Sequence, residues 1–278
     1  MTQPMMTLND GREMPQLGTG IWQIDDAKTP EVVAQALKTG YRLIDGAAAY
    51  KNERGMGEGI RASGVPRDQI FVTSKLWNDA QGYDQALRAF DETMTRTGLE
   101  KLDLFLIHWP LPRLDAYVDT WKALIRLREE GRVTSIGVAN FHADHLQRLI
   151  DETGVTPALN QIELHPSLAQ AKMRAVNKRL GIVTQSWTPL GRGDSFDAPA
   201  VTQIAERLER SPAQVILRWH IQHGLSVIPK SEHADRLAQN FAALEFELTA
   251  DDMAALDRLD NNHRTGPDPD EFDYREPL

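Results

Sequence analysis

The sequence predicts an α/β fold: a single (β/α)8 (TIM) barrel spanning 1–278, with an N-terminal β-hairpin and a loop-like C-terminal tail. Three observations point there. Short runs rich in Val, Ile, Leu and Phe alternate with amphipathic stretches of helical length, about eight times along the chain. No composition break, low-complexity tract or long linker divides the 278 residues, a length that one α/β barrel can fill. Several apolar runs end in a polar side chain, as strands do at the C-terminal face of a parallel barrel. An open doubly wound sheet is the second reading of the same alternation.

Each element has a local reason. Two short apolar runs, 6–8 and 14–17, flank Asn9-Asp10-Gly11, and Asp-Gly between such runs signals a hairpin. The first barrel strand is expected at 18–22. A helix over 30–38 begins at Pro30, whose fixed φ suits a first turn, and stops at Gly40. Strand 41–45, helix 53–62, strand 70–75 and helix 84–97 follow, the last closed by Gly98. Strand 102–109 leads to a long amphipathic helix over 115–130, stopped by Gly131. Strand 133–139 and helix 142–152 come next. The second half repeats the rhythm: strand 158–164, helix 169–180, strand 182–187, helices 198–210 and 212–223, strand 225–230, and helices 234–243 and 250–259. The segment 261–278, rich in Pro and acid, reads as a loop.

Composition narrows the function. The net charge of −9 offers no global basic field for nucleic acid. With no Cys, there is no disulfide framework, thiolate nucleophile or Cys metal site. No apolar run reaches membrane-spanning length and the first thirty residues carry no signal-peptide pattern, so a cytoplasmic monomer is the default. Gly55-Met-Gly57-Glu-Gly59 is not a dinucleotide loop, because Ile60 stands where the last Gly is needed; it reads as the start of a helix. His142 and His145, three apart on a helix without a His-Glu-x-x-His frame, read as a solvated face, and no metal site is expected.

Three predicted strands place chemistry at one face. The strand 41–45 ends in Asp45, and the small residues 46–49 let the chain turn so that Tyr50 stands near it. The next two strands end in Lys75 and His108. Each residue alone has an ordinary explanation: a cap, a core ring, a surface cation, a satisfied histidine. Together they fall on successive strand ends, where barrel sites lie, and a lysine among apolar strand residues needs the counterion Asp45 supplies.

At these residues the sequence resembles the aldo-keto reductases. The motifs are Gly40-Tyr-Arg-Leu-Ile-Asp45, Tyr50-x-Asn52-Glu53, Thr73-Ser-Lys75-Leu-Trp77 and Leu104-Phe-Leu-Ile-His108-Trp109-Pro110. They continue with Ser135-Ile-Gly137-Val-Ala-Asn140-Phe141, Asn160-Gln161-Ile-Glu163-Leu-His165-Pro166 and Ile228-Pro229-Lys230-Ser231. The likeness covers almost the whole chain and is weakest in the tail. The length and Leu76-Trp77-Asn78-Asp79 are most similar to bacterial 2,5-diketo-gluconate reductases.

The resemblance implies reduction of a small carbonyl with NADPH bound without a Rossmann fold. It implies Tyr50 as proton donor, Lys75 lowering the phenol's pKa, Asp45 orienting Lys75, and His108 orienting the substrate oxygen. Asn140 and Gln161 match positions that hold the nicotinamide carboxamide, with Ala139 where the family usually has Ser. Trp187 matches the ring stacked on nicotinamide, and Leu190 and Gly191 match the pyrophosphate loop. Lys230, Ser231, Arg236 and Asn240 match the 2′-phosphate site. Trp22, Trp77 and Trp109 follow strand ends and are expected to wall the substrate pocket, with the tail closing over it. A nucleotide-binding barrel with little turnover is the alternative function. Oxidation of NADPH by a small dicarbonyl separates the two.

Overall fold

The computed structural model describes residues 3–275; the last three residues of the expected tail lie outside them. The hairpin forms from β1 (Met5–Thr7) and β2 (Glu13–Pro15), antiparallel with Met6 opposite Met14. Gly11 takes φ +83° in the turn, a conformation that costs glycine little.

Eight parallel strands follow: β3 (Thr19–Gly20), β4 (Leu43–Asp45), β5 (Phe71–Leu76), β6 (Leu102–Ile107), β7 (Val133–Ala139), β8 (Leu159–Glu163), β9 (Val183–Trp187) and β10 (Ser226–Val227). They pair in chain order. Parallel bridges Leu17–Val227 and Gly20–Lys230 join the last strand to the first, so the sheet closes and the open-sheet reading falls. The strand expected over 225–230 shrinks to two residues. Pro229 has no N–H to give a ladder and contributes only its carbonyl, to the Gly20 N–H.

Among the described residues, ten helices surround the sheet: α1 (Thr29–Thr39), α2 (Glu53–Ala62), α3 (Tyr83–Thr97), α4 (Tyr117–Glu129), α5 (Ala143–Thr153), α6 (Ala171–Arg179), α7 (Pro199–Leu208), α8 (Pro212–Gln222), α9 (Ala234–Phe241) and α10 (Ala250–Asp257). The helix expected from residue 115 starts at Tyr117, because Asp115 sits at φ +57°, outside the helical region.

Two apolar layers result. A large one fills the space between sheet and helices, around Phe90, Phe105, Trp121 and Trp219. A smaller one lies inside the barrel, where Leu8 and Met14 of the hairpin meet Leu43, Phe71, Leu104 and Leu159 and plug the floor. The glycine run of α2 is a packing stripe. A Cβ at Gly57 would lie 1.8 Å from the Thr97 carbonyl oxygen, and one at Gly59 2.7 Å from that of Pro30. Only bare backbone lets α2 sit this close to α1 and α3, and α2 follows directly on the loop that carries Tyr50.

Candidate active site

Polar side chains gather at the C-terminal ends of the strands, at the face opposite the hairpin plug. β4 ends in Asp45, and a short 3₁₀ turn, Ala48–Tyr50, brings Tyr50 back over it. The turn is held from both sides. Asn52 donates to the carbonyls of Ile21 and Ile24 at 2.8 and 2.9 Å. Buried Glu53 accepts from Ser74 Oγ at 2.5 Å and from Arg96 Nε at 2.7 Å. The Tyr50-x-Asn52-Glu53 motif is therefore a clamp that fixes Tyr50 to its neighbours.

Lys75 is wholly buried, and its Nζ donates to Asp45 Oδ2 at 2.6 Å, to the Gly46 carbonyl at 2.9 Å and to Tyr50 Oη at 3.2 Å. Burial works against the ammonium, but Asp45 and then Tyr50 outweigh it and raise its pKa above the usual lysine value. The Tyr50 phenol is pushed up by burial, with Lys75 pulling the other way. The expected lowering of the phenol by Lys75 is thus real as a contribution but outweighed in the free protein. Tyr50 rests as the neutral phenol.

His108 lies just past β6, its backbone N–H on the Leu76 carbonyl and its ring 5.8 Å from that of Tyr50. Burial, and then the Lys75 charge, hold it well below the usual histidine range, so it is neutral. Asp45, Tyr50 and His108 open into one cavity of about 280 Å³. A larger, more open cleft of about 660 Å³, rimmed with ion-paired side chains such as Asp26 and Arg54, lies behind the Tyr50 turn and excludes this group.

The other predicted residues divide. Trp22, Trp109, Asn140, Gln161, Trp187 and Lys230 line the same cavity. Trp77 instead packs edge-on behind His108, with ring centroids 5.0 Å apart, and its indole N–H donates to the Arg275 carbonyl. Asn140 is fixed in orientation: its amide donates to the His108 carbonyl at 3.0 Å and its Oδ1 accepts from Trp187 Nε1 at 2.8 Å. Gln161 donates to Asp45 Oδ1 at 2.8 Å. In the loop after β9 the cavity wall is Thr188, Pro189 and Arg192. Leu190 packs on the core, and Gly191, at φ +53°, backs onto His165.

Lys230 is ion-paired with Glu232 at 2.9 Å, and the Ser231 hydroxyl accepts from the His233 N–H. Arg236 is exposed, and Asn240 is buried four residues further along α9.

The tail lies over the cavity as expected, but sequence reasoning named none of the tail residues that do this. Phe272 lines the cavity and packs 4.3 Å from the Trp109 ring. Buried Glu163 accepts from the backbone N–H of Thr265 at 2.6 Å and of Gly266 at 3.1 Å. With the bond from His165, these outweigh burial and lower its pKa to about 2. A Cβ on Gly266 would sit 2.5 Å from Trp187, so the tail passes flush against that ring. Asp270 meets His142 Nδ1 at 3.0 Å and His145 Nε2 at 3.4 Å. His145 Nδ1 accepts the His142 backbone N–H, so its proton is on Nε2 and points at Asp270. Together the three side chains clasp the tail. A lone Phe in an acidic stretch gave no periodic signal that would have found this wall.

Comparison with known proteins bears on the whole arrangement. The family model described as "Aldo/keto reductase family" matches residues 14–261. An aldo-keto reductase of Mycolicibacterium smegmatis is 51% identical over 98% of both chains. Methylglyoxal reductase DkgA of Yersinia pestis is 47% identical over 97% of this chain and 98% of its own. The crystal structure of a Gox0644 mutant in complex with NADPH superposes with a TM-score of 0.95 at 46% identity, covering 99% of this chain and all of the other. With an eight-stranded barrel, a hairpin plug and this degree of likeness along its length, the chain belongs to the aldo/keto reductase family.

Proposed function

We propose that the protein reduces a small carbonyl to an alcohol with NADPH, and that Tyr50 supplies the proton. The observation that carries this reading is the buried Asp45–Lys75 pair set against the Tyr50 hydroxyl, beside a neutral His108, at the floor of a cavity. A carbonyl that accepts hydride develops negative charge on oxygen, and that charge is met by a positioned donor and fixed dipoles. The neutral Tyr50 phenol donates its proton to that oxygen. Lys75, kept charged by Asp45, stabilises the phenolate left behind. Neutral His108 has one ring N–H to donate, and orients the oxygen.

The residues present fit a nicotinamide carboxamide. One Asn140 N–H is taken by the His108 carbonyl, which leaves the other as a donor. Both Gln161 N–H groups are taken, which leaves its Oε1 as an acceptor. One donor and one acceptor on neighbouring strands complement a primary amide. Reduced nicotinamide, when bound, supplies the hydride. Lys230 and Arg236, with Ser231 and Asn240, would hold a 2′-phosphate, and Trp187 would face the ring.

The relatives named as methylglyoxal reductases and the cavity's size support a small polar or short-chain carbonyl, from methylglyoxal to keto-sugar acids such as 2,5-diketo-gluconate. The test follows NADPH absorbance with methylglyoxal, 2,5-diketo-gluconate and a β-keto ester. Turnover is expected with at least one, and kcat for Tyr50→Phe should fall at least about 10²-fold with little change in NADPH affinity. Near wild-type turnover by Tyr50→Phe would remove Tyr50 from the mechanism, and binding of NADPH without turnover would favour the binding-module reading.

A further inference from the structure

Gln185 stands on β9, fully buried in the barrel interior, and none of the motifs above includes it. Its Oε1 accepts from Gln161 Nε2 at 2.6 Å, and its own Nε2 donates to Ser226 Oγ at 2.9 Å. The same Gln161 nitrogen donates to Asp45 Oδ1 at 2.8 Å. An amide nitrogen carries two hydrogens, and here both are taken. Turning the Gln161 amide over would set its oxygen against the Asp45 carboxylate and the Gln185 oxygen together, three acceptors without a hydrogen between them.

We propose that Gln185, held by Ser226, is a positioning residue that makes the cavity-facing end of Gln161 acceptor-only. A ligand amide must then present its NH₂ group to Gln161 and its carbonyl to Asn140. This fixes the rotation of the carboxamide, and through it the seating of the ring to which it is attached. The inference rests on the dinucleotide reading given above. It also ties the cofactor side to the proton side, since the amide that reads the carboxamide is bonded to the carboxylate that orients Lys75.

The probes are NADP⁺ and its 3-acetylpyridine analogue, in which a methyl replaces the NH₂ and nothing can be donated to Gln161. Affinities are read by quenching of tryptophan fluorescence, without turnover. The wild type should bind the analogue roughly tenfold more weakly than NADP⁺, the scale of one lost buried hydrogen bond. In Gln185→Met the second Gln161 N–H loses its partner, so the amide can swing with one N–H kept on Asp45 and the other brought to the acetyl oxygen, and the ratio should narrow to within about twofold. Gln185→Glu keeps an acceptor for Gln161, with the Ser226 hydroxyl able to donate to it, and should keep the wild-type ratio. If Gln185→Met does not fold by circular dichroism, Ser226→Ala, which frees the far end of Gln185, should narrow the ratio part of the way. A role in packing alone would weaken both ligands together and leave the ratio at its wild-type value in every folded variant. That result, or a wild type that does not distinguish the two probes, overturns the proposal. A wild type that binds neither overturns the dinucleotide reading and this inference with it.

Discussion

The ring of Asp45, Tyr50, Lys75 and His108 and the turn from Lys230 into α9 hold similar charges under opposite conditions. In the first, the Lys75 ammonium is sealed from solvent, and its carboxylate partner is bonded again, on its other oxygen, by Gln161. In the second, the Lys230 side chain is 36% exposed, its partner Glu232 is two residues away in the same turn, and Arg236 projects from α9 into solvent. A buried ion pair is costly to break, because the survivor is stranded away from water. An exposed pair contributes little and rearranges easily. The ring is built to hold one geometry, while the turn is built to be adjusted without disturbing the fold.

Lys75→Met breaks the ring and has the largest expected effect. It leaves Asp45 buried with a charge and only Gln161 to meet it, so unfolding should become easier by about 3–5 kcal/mol in denaturant titration. In whatever folds, kcat should drop at least about 10²-fold, as for loss of Tyr50, since in the proposed mechanism the two groups act as one unit. A stable, active Lys75→Met protein would show that the ring does not depend on its central charge.

The same contrast explains what the sequence made legible. The strands that build the ring were visible because they are buried on both faces and read as continuous apolar runs, in which Lys75 and Asp45 stand out as charges that need each other. Gln185 and Ser226 were not visible. A polar residue inside a strand has no recognisable purpose until its partners on β8 and β10 are known. Phe272 and Asp270 lie in a segment without periodicity, placed by contacts to Trp109, His142 and His145 far away in the chain. The two-residue strands β3 and β10 were overestimated in length for a related reason, since closure there runs through isolated bridges and Pro229.

Arg236→Ala sharpens the comparison from the exposed side. A charge-assisted hydrogen bond to a phosphate contributes roughly 1.5–3 kcal/mol, so NADPH affinity should fall at least about tenfold. NADH affinity and the unfolding midpoint should hardly change, because Arg236 has no ion-pair partner among the described residues and stands clear of the core. Equal losses for both cofactors would show that Arg236 does not read the 2′-phosphate.

The ring also leaves a mark on acid stability. His108 is held neutral in the fold, well below its ordinary value of 6.5. Below that value the unfolded chain takes up a proton that the folded one refuses, so stability is lost as pH falls from about 6.5. Each such histidine adds a slope of about 1.4 kcal/mol per pH unit. His220, held by burial at about 3, acts in the same direction. His108→Gln should therefore lower the acid slope by up to one proton below about pH 6 without abolishing it. An unchanged slope would mean that His108 is charged in the folded protein.

The smallest expected effect belongs to Glu232. Its carboxylate is the only one paired with Lys230 among the described residues, and the ammonium holds its pKa below the usual glutamate value. In the proposed site, a 2′-phosphate at Lys230 would displace this partner or share it, and an anion held next to a carboxylate is weakened by like charge. Since the pair is exposed, the opposition is worth less than about 1 kcal/mol. Glu232→Gln should accordingly strengthen NADPH binding by a few-fold at most, and by less in high salt, where the exposed charges are screened. NADH, with nothing to repel, should be unaffected. Weaker NADPH binding in Glu232→Gln would mean that Glu232 serves to hold Lys230 in place for the phosphate, and the turn would then share the ring's logic of a fixed pair.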